Sequence, residues 1–159
     1  MAAKFSWPFR IGFVALTLWL GLTLVVALLA VVRVAVLELP PPVLQFFLSN
    51  DAINALPAEV RGVIDSLAIA LNATLAGFAF LALVVLWRGV RRYQRWAWGS
   101  LTGVILFGQI MAFVADRALG SPMLTFNLVF TTVALLGLIL TAPRAPRVRQ
   151  GTKLLDQLC

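Results

Sequence analysis

The chain has 159 residues, of which 62% are hydrophobic and only 12% are charged. Soluble domains carry about 25% charged residues, and a chain this short cannot hide so much apolar surface from water, so a soluble globular fold is excluded. The net charge of +7 comes from basic residues at the ends of apolar runs, which is typical of membrane topology and argues against a nucleic-acid partner.

The first apolar run extends from Ile11 to Val32 without a charged residue. It is longer than the 7–15 residues of a signal-peptide core, so we predict a retained transmembrane span at about 11–36. An outer loop at 37–63 follows. Its segment 43–48 is too short to cross a bilayer, and we expect it to cover helix ends or to rest on the membrane surface.

Three further spans are predicted from runs of about 20 apolar residues, the length that a bilayer core about 30 Å thick requires. The second lies at about 64–88, and its helix is expected to begin near Pro57 because proline suits the first turn of a helix. The third lies at about 96–116 and the fourth at 122–142, opening at Pro122. The short connection between the last two predicts an antiparallel hairpin.

The basic residues predict the orientation. Ten of the thirteen lie on one side of the predicted spans, and cytoplasmic loops carry an excess of Lys and Arg, so we expect both termini to be cytoplasmic. The predicted fold is an all-α integral membrane protein, an up-down four-transmembrane-helix bundle in one domain at 1–142 with a basic tail at 143–159. The ten residues are Lys4, Arg10, Arg88, Arg91, Arg92, Arg95, Arg144, Arg147, Arg149 and Lys153.

The loop between spans two and three reads Arg91-Arg92-Tyr93-Gln94-Arg95-Trp96-Ala97-Trp98 and runs into a glycine-rich span. This segment resembles the corresponding loop of small bacterial four-helix membrane proteins, some of them DoxX-like. The resemblance implies a bacterial protein of the cytoplasmic (inner) membrane. It transfers no function and no site residue.

Polar side chains inside apolar spans are costly in lipid and therefore mark candidate sites. A spacing of seven residues places Asp65 and Asn72 on one face of span two, and Gln109 and Asp116 on one face of span three. At about 1.5 Å of rise per residue, Asn72, Gln109 and Asn127 lie at a similar depth in the outer half of the membrane. The ligand-binding candidates are Asn72, Gln109, Asp116 and Asn127.

These four side chains have two interpretations. They would line a pocket open to the outside that binds a small polar ligand or a lipid headgroup, or they would hydrogen-bond one another and hold the bundle together. Interhelical bonds of the second kind average about 0.6 kcal/mol, and we favour that interpretation. Nearby at the membrane interface, Arg33 is expected to pair with Glu38 and Arg117 with Asp116.

Small residues spaced four apart let transmembrane helices approach closely. Spans two and three both show this pattern. We expect these residues to pack inside the bundle in preference to forming a homodimer face. The helix-packing candidates are Ala73, Gly77, Gly99, Gly103 and Gly108.

The chain has no histidine and one cysteine, Cys159, so we expect no metal site, no haem, no other cofactor and no intramolecular disulfide. No catalytic residue is assigned. The favoured function is a non-enzymatic accessory or structural subunit of a membrane complex, in contact with the lipid bilayer and with other membrane subunits or a second copy. The alternatives are binding or transport of a small polar ligand in the pocket, and a lipid-modifying enzyme with Asp65 or Asp116 as general base.

Overall fold

The computed structural model describes residues 6–46, 48–120 and 124–143. The predicted opening of span four at Ser121-Pro122 lies outside the described residues. So do Lys4, Cys159 and all but the first residue of the predicted tail.

The described residues form helices and contain no β-strand. Four of the helices, α1, α3, α4 and α5, are long and apolar enough to cross a membrane, which confirms the all-helical prediction with four spans. Helices suit a lipid environment because they satisfy every backbone N–H and C=O group within one segment. The elements are α1 Trp7–Ala35, a 3-10 helix Pro42–Phe46, α2 Asn50–Asn54, α3 Ala58–Arg88, a 3-10 helix Val90–Arg92, α4 Arg95–Leu119 and α5 Leu124–Thr141.

Helices α1 and α3 begin before the apolar runs that predicted them. Helix α1 begins at Trp7, with a proline in its first turn, instead of at residue 11. Helix α3 begins at Ala58, directly after Pro57, so the predicted outer loop is helical from residue 58 onward. Hydropathy marks the part of a helix that lies in lipid, whereas backbone hydrogen bonds continue past that boundary wherever the local sequence allows.

Helix α1 lies between α3 and α5 and packs against both. Its buried residues recur every three to seven positions, which places them in a stripe along the helix; they include Phe9, Leu16, Leu20, Ala27 and Val34. Helix α4 packs on α5 and meets α3 less extensively. The helices therefore follow the spatial order α3, α1, α5, α4.

Two glycines make the crossing of α1 and α5 close. A Cβ atom added to Gly12 would lie 2.6 Å from Cβ of Leu140 and 2.9 Å from the carbonyl oxygen of Gly137. A Cβ atom added to Gly137 would lie 2.7 Å from Cγ of Leu16, which is fully buried at this crossing. One turn further along α1, the indole Nε1 of Trp19 donates to the carbonyl oxygen of Phe130 at 3.0 Å.

Aromatic rings join the first turns of α1 to the end of α3. The Phe13 ring meets the Trp87 ring edge-on at 5.3 Å, and the Phe9 ring lies 4.7 Å from that of Tyr93. The start of α1 and the connection between α3 and α4 therefore lie on the same side of the bundle. We call this the arginine-rich side, because it carries Arg10, Arg88, Arg91, Arg92 and Arg95.

Helix α4 packs against the apolar core only near the arginine-rich side. Ala97, Leu101 and Ile105 are buried there, and Trp98 Nε1 donates to the carbonyl oxygen of Leu138 on α5 at 3.1 Å. Gly108 follows Leu101 by seven residues and so lies on nearly the same face, yet it is exposed. Beyond Ile105, α4 therefore no longer packs against the core with that face.

Replacing Gly12 with alanine should destabilise the protein by about 1–3 kcal/mol, because the new methyl group overpacks the α1–α5 crossing. Gly21→Ala is the matched control on the same helix: nothing lies within 4 Å of its added Cβ, so stability should hold or rise slightly with the better helix propensity. The measurement is the free energy of unfolding in mixed micelles with increasing SDS. Equal stability of the two variants would contradict the close crossing.

Candidate functional site: polar pairs between α4 and α5

Three of the four predicted site residues lie along the contact between α4 and α5. The Asn127 side-chain amide donates to Asp116 Oδ2, and the Thr131 hydroxyl donates to Gln109 Oε1. The four side chains are each partly buried. The partners are seven residues apart on α4 and four apart on α5, so the two antiparallel helices are joined at two successive levels.

The Thr131 hydroxyl has a second acceptor. Its Oγ1 also lies 2.6 Å from the carbonyl oxygen of Asn127, one turn earlier in α5. A threonine hydroxyl carries one proton, which is shared between this carbonyl and Gln109. The bond between helices therefore adds to one that α5 makes within itself, and its net contribution to stability should be modest.

Asn72 does not join this group. Its Nδ2 donates to the carbonyl oxygen of Ala68, one turn earlier in α3, at 2.8 Å. The prediction that Asn72, Gln109 and Asn127 meet rested on their equal depth in the membrane. Depth does not determine which helices are neighbours, and α1 separates α3 from α5.

Most other polar side chains in the spans bond to their own helix. A hydroxyl that donates to the carbonyl four residues earlier is satisfied in lipid without any partner helix. Thr102 differs, because its buried Oγ1 has no hydrogen-bond partner, although it lies seven residues before Gln109 on the same face. The self-bonded threonines are Thr17, Thr23, Thr74, Thr132 and Thr141.

The predictions of two ion pairs at the membrane interface are wrong. Arg33 Nε donates to the Pro40 carbonyl oxygen at 3.2 Å, because the chain after α1 turns back over the helix end, and Glu38 is exposed. Asp116 accepts from Asn127 and makes no ion pair with Arg117 within the described chain.

The described residues contain one ion pair, Arg61 with Asp65, whose Nε and Oδ2 atoms are 4.0 Å apart. The other carboxylate oxygen of Asp65, Oδ1, is buried without a hydrogen-bond partner. Asp65 and Asp116, the two candidate general bases, thus have different surroundings: an arginine for Asp65 and an amide for Asp116.

The small residues predicted to pack inside the bundle contact no other helix among the residues that the structure describes. A Cβ atom added to Gly77, Gly99, Gly103 or Gly108 meets nothing within 4 Å, and Ala73 is exposed. The close crossing belongs to Gly12 and Gly137 instead. Gly137 and Thr141 show the same four-residue spacing, so the pattern was present in α5, but spacing alone does not identify which small residues meet another helix.

The hydrogen bonds of Trp19 and Trp98 to another helix were not predicted from the sequence. A tryptophan buried in an apolar span needs an acceptor for its N–H group, which is the signal that would have identified them. Both donate to carbonyl oxygens of α5, which ties this helix to α1 on one side and to α4 on the other.

Comparison of the chain with models of protein families, with curated proteins and with solved structures finds no match. The resemblance of the segment from Arg91 to Trp98 to DoxX-like proteins therefore stays a prediction.

A double-mutant cycle should detect the bond between α4 and α5. With Gln109→Leu and Thr131→Val, we expect a coupling free energy of about 0.6 kcal/mol, the typical value for interhelical hydrogen bonds in membranes. The measurement is unfolding in SDS of the two single variants, the double variant and the unchanged protein.

The control cycle pairs Asn72→Leu with Thr131→Val, and its coupling should be close to zero because Asn72 bonds within α3. Coupling in the Asn72 cycle as large as in the Gln109 cycle would show that the three side chains form one cluster.

Proposed function

We propose that this protein is a non-enzymatic accessory or structural subunit of a membrane complex, and that α4 is the helix that docks on the partner. The observation that supports the proposal is an uncovered glycine face on α4. Gly99 and Gly103 are exposed, and apart from the adjoining backbone of α4 no described atom lies within 4 Å of a Cβ atom added at either position.

This glycine face lies opposite the side by which α4 joins the bundle. Ala97 and Leu101 are buried, with 0% and 2% of their surface exposed. Gly99 and Gly103 each follow one of them by two residues, a rotation of about 200° around a helix with 3.6 residues per turn. The uncovered glycine face of α4 therefore points away from the other helices of the bundle.

A bare helix backbone in lipid favours contact with another helix. Transmembrane helices associate through van der Waals packing and interhelical hydrogen bonds, and small residues let the two backbones approach closely enough for both. The same chain provides an example, because α1 and α5 meet at Gly12 and Gly137 in this way. The partner that fits the α4 face is a transmembrane helix of another protein, with small residues at the crossing point.

The expected location is the cytoplasmic membrane of a bacterium, with both termini in the cytoplasm. The positive-inside rule supports this orientation, because the exposed arginines Arg88, Arg91, Arg92 and Arg95 lie on one side of the bundle. Asn54, which is exposed on the opposite side, provides the test. In a Cys159→Ser background, an impermeant maleimide should label Asn54→Cys in intact cells, and protection of that cysteine would reverse the orientation.

Two other functions rank lower. A polar-ligand pocket at the α4–α5 contact would have to break the Asp116–Asn127 and Gln109–Thr131 hydrogen bonds before a ligand could use these groups. A lipid-modifying enzyme would use Asp65 or Asp116 as base. Unchanged membrane lipid composition in cells that carry Asp65→Asn with Asp116→Asn would remove that alternative.

Native mass spectrometry of the protein, extracted from its own membrane in a mild detergent, tests the subunit proposal. We expect another polypeptide to accompany it at a fixed stoichiometry. Gly99→Leu with Gly103→Leu should abolish that association, because the two leucines keep a partner backbone away. The unfolding free energy of the isolated protein should hold or rise slightly, since the space around both glycines is open and leucine has the better helix propensity.

Gly77→Leu is the matched control, because it places the same side chain at an equally open position on α3. It should leave the association intact. If the protein is a homodimer that the two α4 substitutions disrupt, the partner of α4 is a second copy of this chain and not another protein. A monomer in native membranes, or an association insensitive to the α4 substitutions, would contradict the proposal.

A further inference from the structure

An apolar groove of about 180 Å³ lies between α3 and α4. Its walls include Phe78, Leu81 and Val85 on α3, and Ser100 and Val104 on α4. Phe78, Leu81 and Val104 are each about half exposed, so the groove opens sideways, toward the lipid. It lies on a different side of α4 from Gly99 and Gly103, and the inference below does not depend on the proposed function.

The groove follows from the packing where α3 ends and α4 begins, on the arginine-rich side. A Cβ atom added to Gly89, just after α3, would collide with Cβ of Ala97 in the first turn of α4, so the two helices are held tightly together there. Further along, α4 is bonded to α5 through Trp98, Gln109 and Asp116. The space that remains between α3 and α4 is lined almost entirely by apolar atoms.

The groove has the depth of one membrane leaflet. On α3 it runs from Val85 to Phe78, which lie three and ten residues before Arg88, or about 5 and 15 Å below it at 1.5 Å per residue. On α4, Ser100 and Val104 lie about 8 and 14 Å beyond Arg95 by the same rise. Half of a hydrocarbon core about 30 Å thick is about 15 Å. An acyl chain that lies in the groove would therefore carry its headgroup to the level of the arginines.

The arginines at that level have no carboxylate partners within the described part of the chain. Arg88, Arg91, Arg92 and Arg95 are exposed. The Arg91 guanidinium lies 5.4 Å from the centre of the Trp87 ring. Trp87 follows Val85 by two residues, a rotation of about 200° around α3, so Arg91 lies on the side of α3 away from the groove. The acidic residues that the structure describes all lie toward the opposite side: Glu38, Asp51, Glu59, Asp65 and Asp116.

We infer that this groove is a binding site for an anionic phospholipid of the leaflet on the arginine-rich side. One acyl chain lies between α3 and α4, and the phosphate binds to the arginines above it. Guanidinium groups bind phosphate through paired, charge-assisted hydrogen bonds. A zwitterionic lipid would place an ammonium group among the same arginines and lose most of the attraction. The apolar walls exclude a water-soluble anion from the groove itself.

Native mass spectrometry with defined lipids tests the inference. The purified protein is equilibrated in detergent with equal amounts of dioleoyl phosphatidylglycerol and dioleoyl phosphatidylcholine, and the lipids retained per chain are counted. We expect one phosphatidylglycerol to be retained in strong preference to phosphatidylcholine. Each basic residue near an anionic headgroup contributes about fivefold in affinity, so Arg88→Gln with Arg92→Gln should lower the preference by about 5- to 30-fold.

Two further variants separate a built site from general attraction to positive charge. Arg61→Gln with Arg117→Gln removes the same charge from the opposite side and should leave retention unchanged. Ser100→Phe fills the groove and should abolish retention although every arginine remains, whereas Thr132→Phe, at an exposed position on α5, should have no effect. Equal retention of the two lipids, or retention of phosphatidylglycerol by the Ser100→Phe variant, would overturn the inference.

Discussion

The close crossing of α1 and α5 at Gly12 and Gly137 is the contact on which the arrangement of the other helices depends. Lipid chains are as apolar as leucine, so burial from water does not hold membrane helices together; close packing does. With backbones this near, Leu16 fills the crossing and Trp19 reaches a carbonyl of α5. Helix α1 therefore packs against α5 on one side, and on the other side its Phe13 ring contacts Trp87 at the end of α3.

Within this arrangement α4 contributes to the core only through its first half, at Ala97, Leu101 and Ile105. It is joined to α5 by one indole hydrogen bond and two polar pairs, and to α3 at the short connection where Gly89 meets Ala97. The one-sided attachment has two consequences on two different sides of the helix. It leaves the backbone at Gly99 and Gly103 uncovered, and it opens the groove between α3 and α4 below the arginines.

The number and helical nature of the spans were predictable from the sequence, because apolar length and proline positions are local properties. The partners of the polar residues were only partly predictable. A spacing of seven placed Gln109 and Asp116 on one face correctly, but it gave no information on which helix would meet them, and Asn72 bonds elsewhere. The glycines show the same limit. Gly99 and Gly103 have the four-residue spacing of the motif, whereas Gly12 and Gly137 lie on different helices. Of these two pairs, only Gly12 and Gly137 make a close contact between helices among the described residues.

The one-sided attachment of α4 is tested most directly by a nitroxide scan of residues 106–114, in a Cys159→Ser background and in lipid without a partner protein. Collision with oxygen reports the exposure of each labelled position to lipid. If α4 touches only α5 beyond Ile105, exposure to oxygen will be low at Gln109 and Ala112, which are partly buried, and high at Gly108 and Met111, which are exposed. Low exposure at Gly108, comparable to that at Ala112, would show that α4 closes against the core along its whole length and would contradict this arrangement.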